Sequence, residues 1–264
     1  HRRSSNGLNM SSANKLLQAA SGGAGDKIYV EDVFSTDVYT GTGSTLNIVN
    51  GIDNSGEGGL VWVKRRDGST SHTVYDTARG VAKYLIPNSS DAEGPIHGVT
   101  AFNNNGYTLG TYASASSQEW VGWNWRKQAG SFDVQTYTGN GSHGHLINHD
   151  LGCIPGMIII KRTDTGEDWM IYHIAMDASN PEQYSMKFST AARTSGFMYD
   201  GSGHTGPTAT QVNLSSAGQV NENGGTFVMY LFAAGTDSDS QIFGDDSDEA
   251  IIKCGSFTTD SSAV

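Results

Sequence analysis

The chain is short of cysteine, proline and positive charge, and each shortage removes a class of protein. Its two cysteines, Cys153 and Cys254, stand far apart, with no CxxC pair and no histidine at zinc-ligand spacing beside them. That excludes a disulfide framework and a zinc ribbon, and both are read as free thiols in a reducing compartment. Lys and Arg number 16 against 27 Asp and Glu, a net charge of −11, so binding led by phosphate contacts has no electrostatic footing. No apolar run approaches the roughly 20 residues needed to cross a bilayer, and the first residues lack a signal peptide's apolar core. Neither nucleic acid nor membrane is an expected partner. What the chain does have is glycine, 34 residues against 5 prolines, with only 16% charged residues, which suits many short strands better than long helices.

Its strongest signal is an internal repeat. Tyr39-Thr40-Gly41-Thr42-Gly43-Ser44 returns as Tyr137-Thr138-Gly139-Asn140-Gly141-Ser142, and Leu60-Val61-Trp62-Val63-Lys64-Arg65 returns as Met157-Ile158-Ile159-Ile160-Lys161-Arg162. Val74-Tyr75-Asp76 then matches Ile171-Tyr172-His173, and Glu119 to Trp125 matches Thr226 to Phe232. The wider spacing of the last pair places a longer loop in the second repeat, expected around Asp200 to Gly206. Val121, Trp123 and Trp125 alternate along one strand face, as do Val228, Tyr230 and Phe232, which is the period of a sheet packing on a core. The YTGxGS blocks read as tight hairpin turns, with glycine where positive φ is needed. The expected fold is therefore all-β: two tandem antiparallel β-sandwich domains of the same type over residues 36–130 and 131–235, preceded by a short helical and extended segment, 1–35. An acidic stretch, 236–250, reads as a solvated linker, and 251–264 as the start of a third repeat, which implies a gene product longer than this chain.

Motifs for chemistry are weak. Gly139, Gly141 and Gly144 spell GxGxxG, but HLINHDLGCIPG after them lacks the helix that a dinucleotide site needs. His143, His145, His149 and Asp150 are dense enough to hold a metal only if their loop folds back on itself, and a surface loop is the better reading. The acids from Asp237 to Glu249 lack the ligand order of an EF-hand. There is no GxSxG, Walker loop or HExxH, and neighbouring acids such as Glu167 and Asp168 read as solvated turns, so no enzyme, cofactor or metal is expected. Trp169, Tyr199 and His204 are candidate receptor-binding residues, since aromatic rings with polar edges suit a host-surface glycan, although a core position is the commoner fate of a tryptophan.

LLQAASGGAGDKIYVEDVFST, NGIDNSGEGGLVWVKRRDG, YDTARG, GYTLG, YTGNGS, IPGMIIIKRTD and IIKCGSFT, in this order, resemble the tail-fibre-like virion structural proteins of cyanophages and related marine podoviruses. The resemblance spans about residues 13 to 264 and brings no catalytic residues with it. It implies a bacteriophage virion protein, the particle-proximal part of a tail fibre, made in the host cytoplasm, with other tail or adaptor proteins as partners and a homotrimer as its assembly. A glycan-binding adhesin is the alternative. Residues 1–35 have no counterpart before the second repeat, and are expected to anchor the chain to the particle. Ser12 can cap a helix through Ala20, with Lys27 to Phe34 extended after it. Leu16, Leu17, Ile28, Val30, Val33 and Phe34 are the candidate docking residues, unless the segment folds back as an edge strand.

Overall fold

A run such as Met157-Ile158-Ile159-Ile160 puts apolar side chains on both faces of a strand, so it is stable only where both faces are covered. The computed structural model, which describes residues 27–95, 98–235, 243 and 249–258, meets that requirement. It is predominantly β, and its paired strands run antiparallel.

In the first half the strands are β1 (Phe34–Thr40), β2 (Leu46–Val49), β3 (Gly59–Arg65), β4 (Thr73–Asp76), β5 (Lys83–Tyr84), β6 (Gly94–Pro95), β7 (Val99–Asn103), β8 (Gly106–Leu109) and β9 (Glu119–Arg126). The second half has β10 (Phe132–Thr138), β11 (His145–Asn148), β12 (Pro155–Arg162), β13 (Met170–His173), β14 (Tyr184–Lys187), β15 (Thr194–Ser195), β16 (Gln211–Leu214) and β17 (Thr226–Ala233). A large sheet of order β1-β9-β3-β4 is matched by one of order β10-β17-β12-β13, which continues into β14 and β15. Smaller sheets, β2-β8-β7 and β11-β16, accompany them. Even the register repeats: Val38 faces Val121 and Trp62 faces Trp123, as Thr136 faces Val228 and Ile159 faces Tyr230.

Alternation along these strands feeds three cores. Val61, Val63 and Trp120 point from the first large sheet towards Ile48 and Tyr107 of its small sheet. Ile158, Ile160 and Leu231 point from the second towards Ile147 and Val212. The opposite faces meet each other, with Leu60, Val74 and Leu85 of the first half packed on Ile159, Ile171, Val228 and Phe232 of the second. The face carrying Val228, Tyr230 and Phe232 is thus the seam between the two halves, and each large sheet meets its small partner through the other face. Buried apolar area stabilises at about 25 cal/mol per Å², so a seam of this kind fuses the halves.

Three expectations need correction. The YTGxGS blocks do supply positive φ, at Gly43 (+78°) and Gly141 (+70°), but β1 and β2 belong to different sheets, so each block arches between sheets and makes no hairpin. Gly41 and Gly139 are there because the backbones of Ala115 and Glu222 press against them. Lys27 to Phe34 is not one extended strand. Val30–Val33 forms a single helical turn, α1, in which the Tyr29 amide donates to Asp32 (3.0 Å), and Val33 is buried. The chain becomes a strand only at Phe34, two residues before the expected boundary. Finally, the longer stretch of the second half is only partly the loop near Asp200, because β14 and β15 also widen the edge of the large sheet. Leu16, Leu17 and the Ser12 helix lie outside the described residues.

A methyl group on Gly139 would meet the Glu222 carbonyl, which is backbone and cannot step aside. Gly139→Ala is expected to lower stability by about 1–3 kcal/mol, seen as a lower urea midpoint at unchanged slope. At Gly203 nothing stands within 4 Å, and Gly203→Ala should stay within about 0.5 kcal/mol of the parent.

Candidate functional site

A buried polar network lies along the seam. Asp76, at the end of β4, is fully buried, and a buried carboxylate is tolerable only with several donors. It has three. The Arg79 amide donates to Oδ1 (2.8 Å), while Arg79 Nε (2.6 Å) and the Tyr230 hydroxyl (2.7 Å) donate to Oδ2. Arg79 also reaches Glu93 (3.0 Å) and the Val74 carbonyl (3.3 Å). Burial pushes the Tyr230 phenol well above its ordinary range, so it stays a donor. The YDTARG block carries this device, two charged residues three apart, and their pairing was the one legible signal of it.

Two further side chains reach across the seam, beside backbone bonds from Glu93 to Thr163 and from Glu167 to Ser90 (2.9 Å each). Trp169 Nε1 lies between the carbonyls of Ile86 and Ser89, 3.1 Å from each. Lys161, with no exposed surface, donates to the carbonyls of Ser90 (3.1 Å) and Arg162 (2.8 Å). Burial pushes its ammonium down to about 8, against the pull of Glu167, Asp91 and Asp168. Its counterpart Lys64 holds the carbonyls of Arg65, Gly68 and Thr70 within its own half.

Of the residues singled out in the sequence, Trp169 is 4% exposed, so it offers no stacking face to an outside ligand and is corrected to a core residue. Tyr199 and His204 do come together, with ring centroids 5.4 Å apart, and His143 lies 4.8 Å from Tyr199. In the proposed anchor, Val33 is buried and Phe34 packs on Trp125 at 5.0 Å, so both serve the fold. Ile28 is half-buried and Val30 exposed. The remaining histidines part company: His145 pairs with Asn221 (2.8 Å), and His149 with the Thr208 carbonyl (3.2 Å). Among the described residues no group of three His, Cys, Asp or Glu is placed to hold a metal ion. Within the acidic stretch Phe243 is fully buried and bridges Glu249, so that stretch is pinned at one point. Beyond it, the Cys254 amide donates to the Ala234 carbonyl (2.9 Å), and Phe257 is 89% exposed.

A groove of about 640 Å³ runs beside the seam, lined by Asn54, Glu57, Thr77, Phe102 and Lys127. Its lysine is committed to the buried Asp133 (2.9 Å). Burial opposes the charge of Asp133, but hydrogen bonds from Gln135, the Asp150 amide and Lys127 hold its carboxyl below the ordinary range. The other surface of note is the part of the first large sheet's seam face that the second half leaves open. Trp62 and Trp123 are half-buried there, 6.4 Å apart edge to face, next to Val38 (64% exposed) and Phe188 (41%). Trp62 Nε1 donates to His72 Nδ1 (2.9 Å), and burial and the Lys64 charge hold that imidazole below its ordinary pKa.

Two strand sets of one order, fused by a shared core, define an all-β protein with an internal repeat. Residues 30–255 match the family model described as a domain of unknown function, DUF7483, and the chain belongs to that family. No curated protein and no solved structure matches it.

Removing the Tyr230 hydroxyl leaves Asp76 one donor short in a dry site. Tyr230→Phe is expected to cost about 1.5–3 kcal/mol in urea unfolding. Lys161 gives a pH signature. A lysine whose folded pKa, about 8, lies below its unfolded value of roughly 10.4 binds fewer protons when folded. Its charge therefore opposes the fold below about pH 8, and that penalty lifts as pH rises towards about 10.4. Across this window the stability of the parent chain should climb relative to Lys161→Met. A constant difference between their urea midpoints would remove the argument.

Proposed function

We propose that the chain is a structural module of a bacteriophage virion, the particle-proximal part of a tail fibre, without catalytic activity of its own. Two tandem sandwiches of one type form it, each a large sheet with its small one, with residues 1–35 as the anchor to the particle. Other tail or adaptor proteins are its partners, and a homotrimer is the assembly. The observation that carries this reading is the seam. Asp76, Arg79 and Tyr230, with the apolar cluster around them, join the repeats into one body, which suits a part that must transmit force along a fibre. The resemblance of the ordered motifs to those of tail-fibre-like proteins supports the same reading.

A second reading, a glycan-binding adhesin, draws on one observation. Tyr199, His204 and His143 cluster beside the Asp200 turn, where their ring faces could stack on a sugar, while both His143 nitrogens are engaged by Ser216 and His204 Nδ1 by the Met198 carbonyl.

Purified particles decide the first reading. A map of the virion, with the chain identified by mass spectrometry of the same particles, is expected to show it where the fibre meets the tail. Particles that lack the chain, or carry it only away from the tail, would falsify the assignment. For the second reading, binding of the full chain to a glycan array should be lost in Tyr199→Ala.

A further inference from the structure

The two halves use the same face to meet each other. Leu60, Trp62 and Trp125 in the first half stand at the repeat positions of Met157, Ile159 and Phe232 in the second, and all six belong to or pack on the seam cluster. Coverage, however, is unequal. On the second large sheet Val228 is 0% and Tyr230 2% exposed, whereas their counterparts Val121 and Trp123 are half-buried and Val38 stands out at 64%. The open area is continuous with the seam, since Phe188 lies 6.5 Å from Trp62 and 5.7 Å from the buried Trp169.

We infer that this open area, Val38, Val121, Trp123, Trp62 and Phe188, is the contact through which a second copy of this chain docks, sheet face on sheet face. The chemistry of the occupant follows from what the face offers. A sugar needs free donors and acceptors beside the stacking ring, but Trp62 Nε1 is bound to His72 and the Lys64 ammonium to three carbonyls. What remains is an apolar, ring-rich surface with Thr36, Thr40 and the exposed Arg66–Glu119 pair (3.7 Å) at its margin, an apolar centre with a polar rim as in an interface. Its continuation already accepts an equivalent sheet within the chain. Thr136 of the second half stands where Val38 does in the first, also exposed but polar, so only one half is equipped for the contact.

The inference rests on the oligomeric part of the proposed function and names its contact face. Its failure is distinct from the failure of the fibre assignment, which is read from particles. The test is sedimentation velocity of the full chain over a broad concentration range. The parent is expected to sediment as an oligomer, and a mass of two or three chains supports the contact equally. Val38→Asp, at a solvent position that folding does not use, places a charge within the contact. It should weaken association about tenfold or more, or about 1.4 kcal/mol per factor of ten. Thr136→Asp, the same change at the equivalent place, should leave association as in the parent. A monomeric parent, an oligomer indifferent to Val38→Asp, or an equal effect of Thr136→Asp overturns the inference. So does a monomer whose tryptophan emission shifts on addition of host-surface polysaccharide, which would give the face to a glycan.

Discussion

Tyr230 and Asp76 come from opposite halves of the chain and meet where no water reaches either of them. A carboxylate in that position, deprived of donors, costs several kcal/mol, so the two sheets cannot slide along their apolar contact without uncovering it. Apolar packing alone tolerates shifts of register better than hydrogen-bonded charge does. Leu60, Val74, Ile159 and Ile171 supply the area of the seam, while Arg79, with its amide and guanidinium on one carboxylate and a further bond to Glu93, fixes where the area lies. Trp169 and Lys161 extend the same logic, each spending its donor on carbonyls of the Ile86 to Ser90 segment across the seam.

Duplication explains the frame and substitution explains the differences. The strand order, the arching glycines and the lysine that grips backbone carbonyls occur twice, because each solves a local problem that both halves share. Where a position faces the other half, the residues part: Trp62 against Ile159, Trp123 against Tyr230, His72 against Trp169. An exact two-fold arrangement would give both members of each pair one environment. The offset packing gives them two, and the side chains have followed, with a compact aliphatic group or an anchored ring where the face is sealed and large half-exposed rings where it is not.

By itself the sequence determined the all-β class, the repeat and the strands that carry the repeated apolar blocks. These follow from period-two patterning and from glycine, which act over a few residues and need no knowledge of what lies across the sheet. It also placed positive φ within the YTGxGS blocks, where Gly43 and Gly141 adopt it, because that demand is local. The partner of each strand face was not legible. A run apolar on both sides says that two covers exist and does not say which cover is the small sheet and which the other half, so the face of Val228, Tyr230 and Phe232 could be assigned to a core but not to the seam. Trp169 looked available because a tryptophan near charged and turn-forming residues resembles a loop-tip residue, and only the approach of Ile86 and Ser89, some eighty residues earlier in the chain, encloses it. Asp76 and Arg79 stand three apart in YDTARG, but their role needs Tyr230, which tertiary structure alone brings within hydrogen-bond reach. Contacts between residues distant in the chain depend on how two sheets are offset, and that offset is set by the whole seam at once, not by any segment of it.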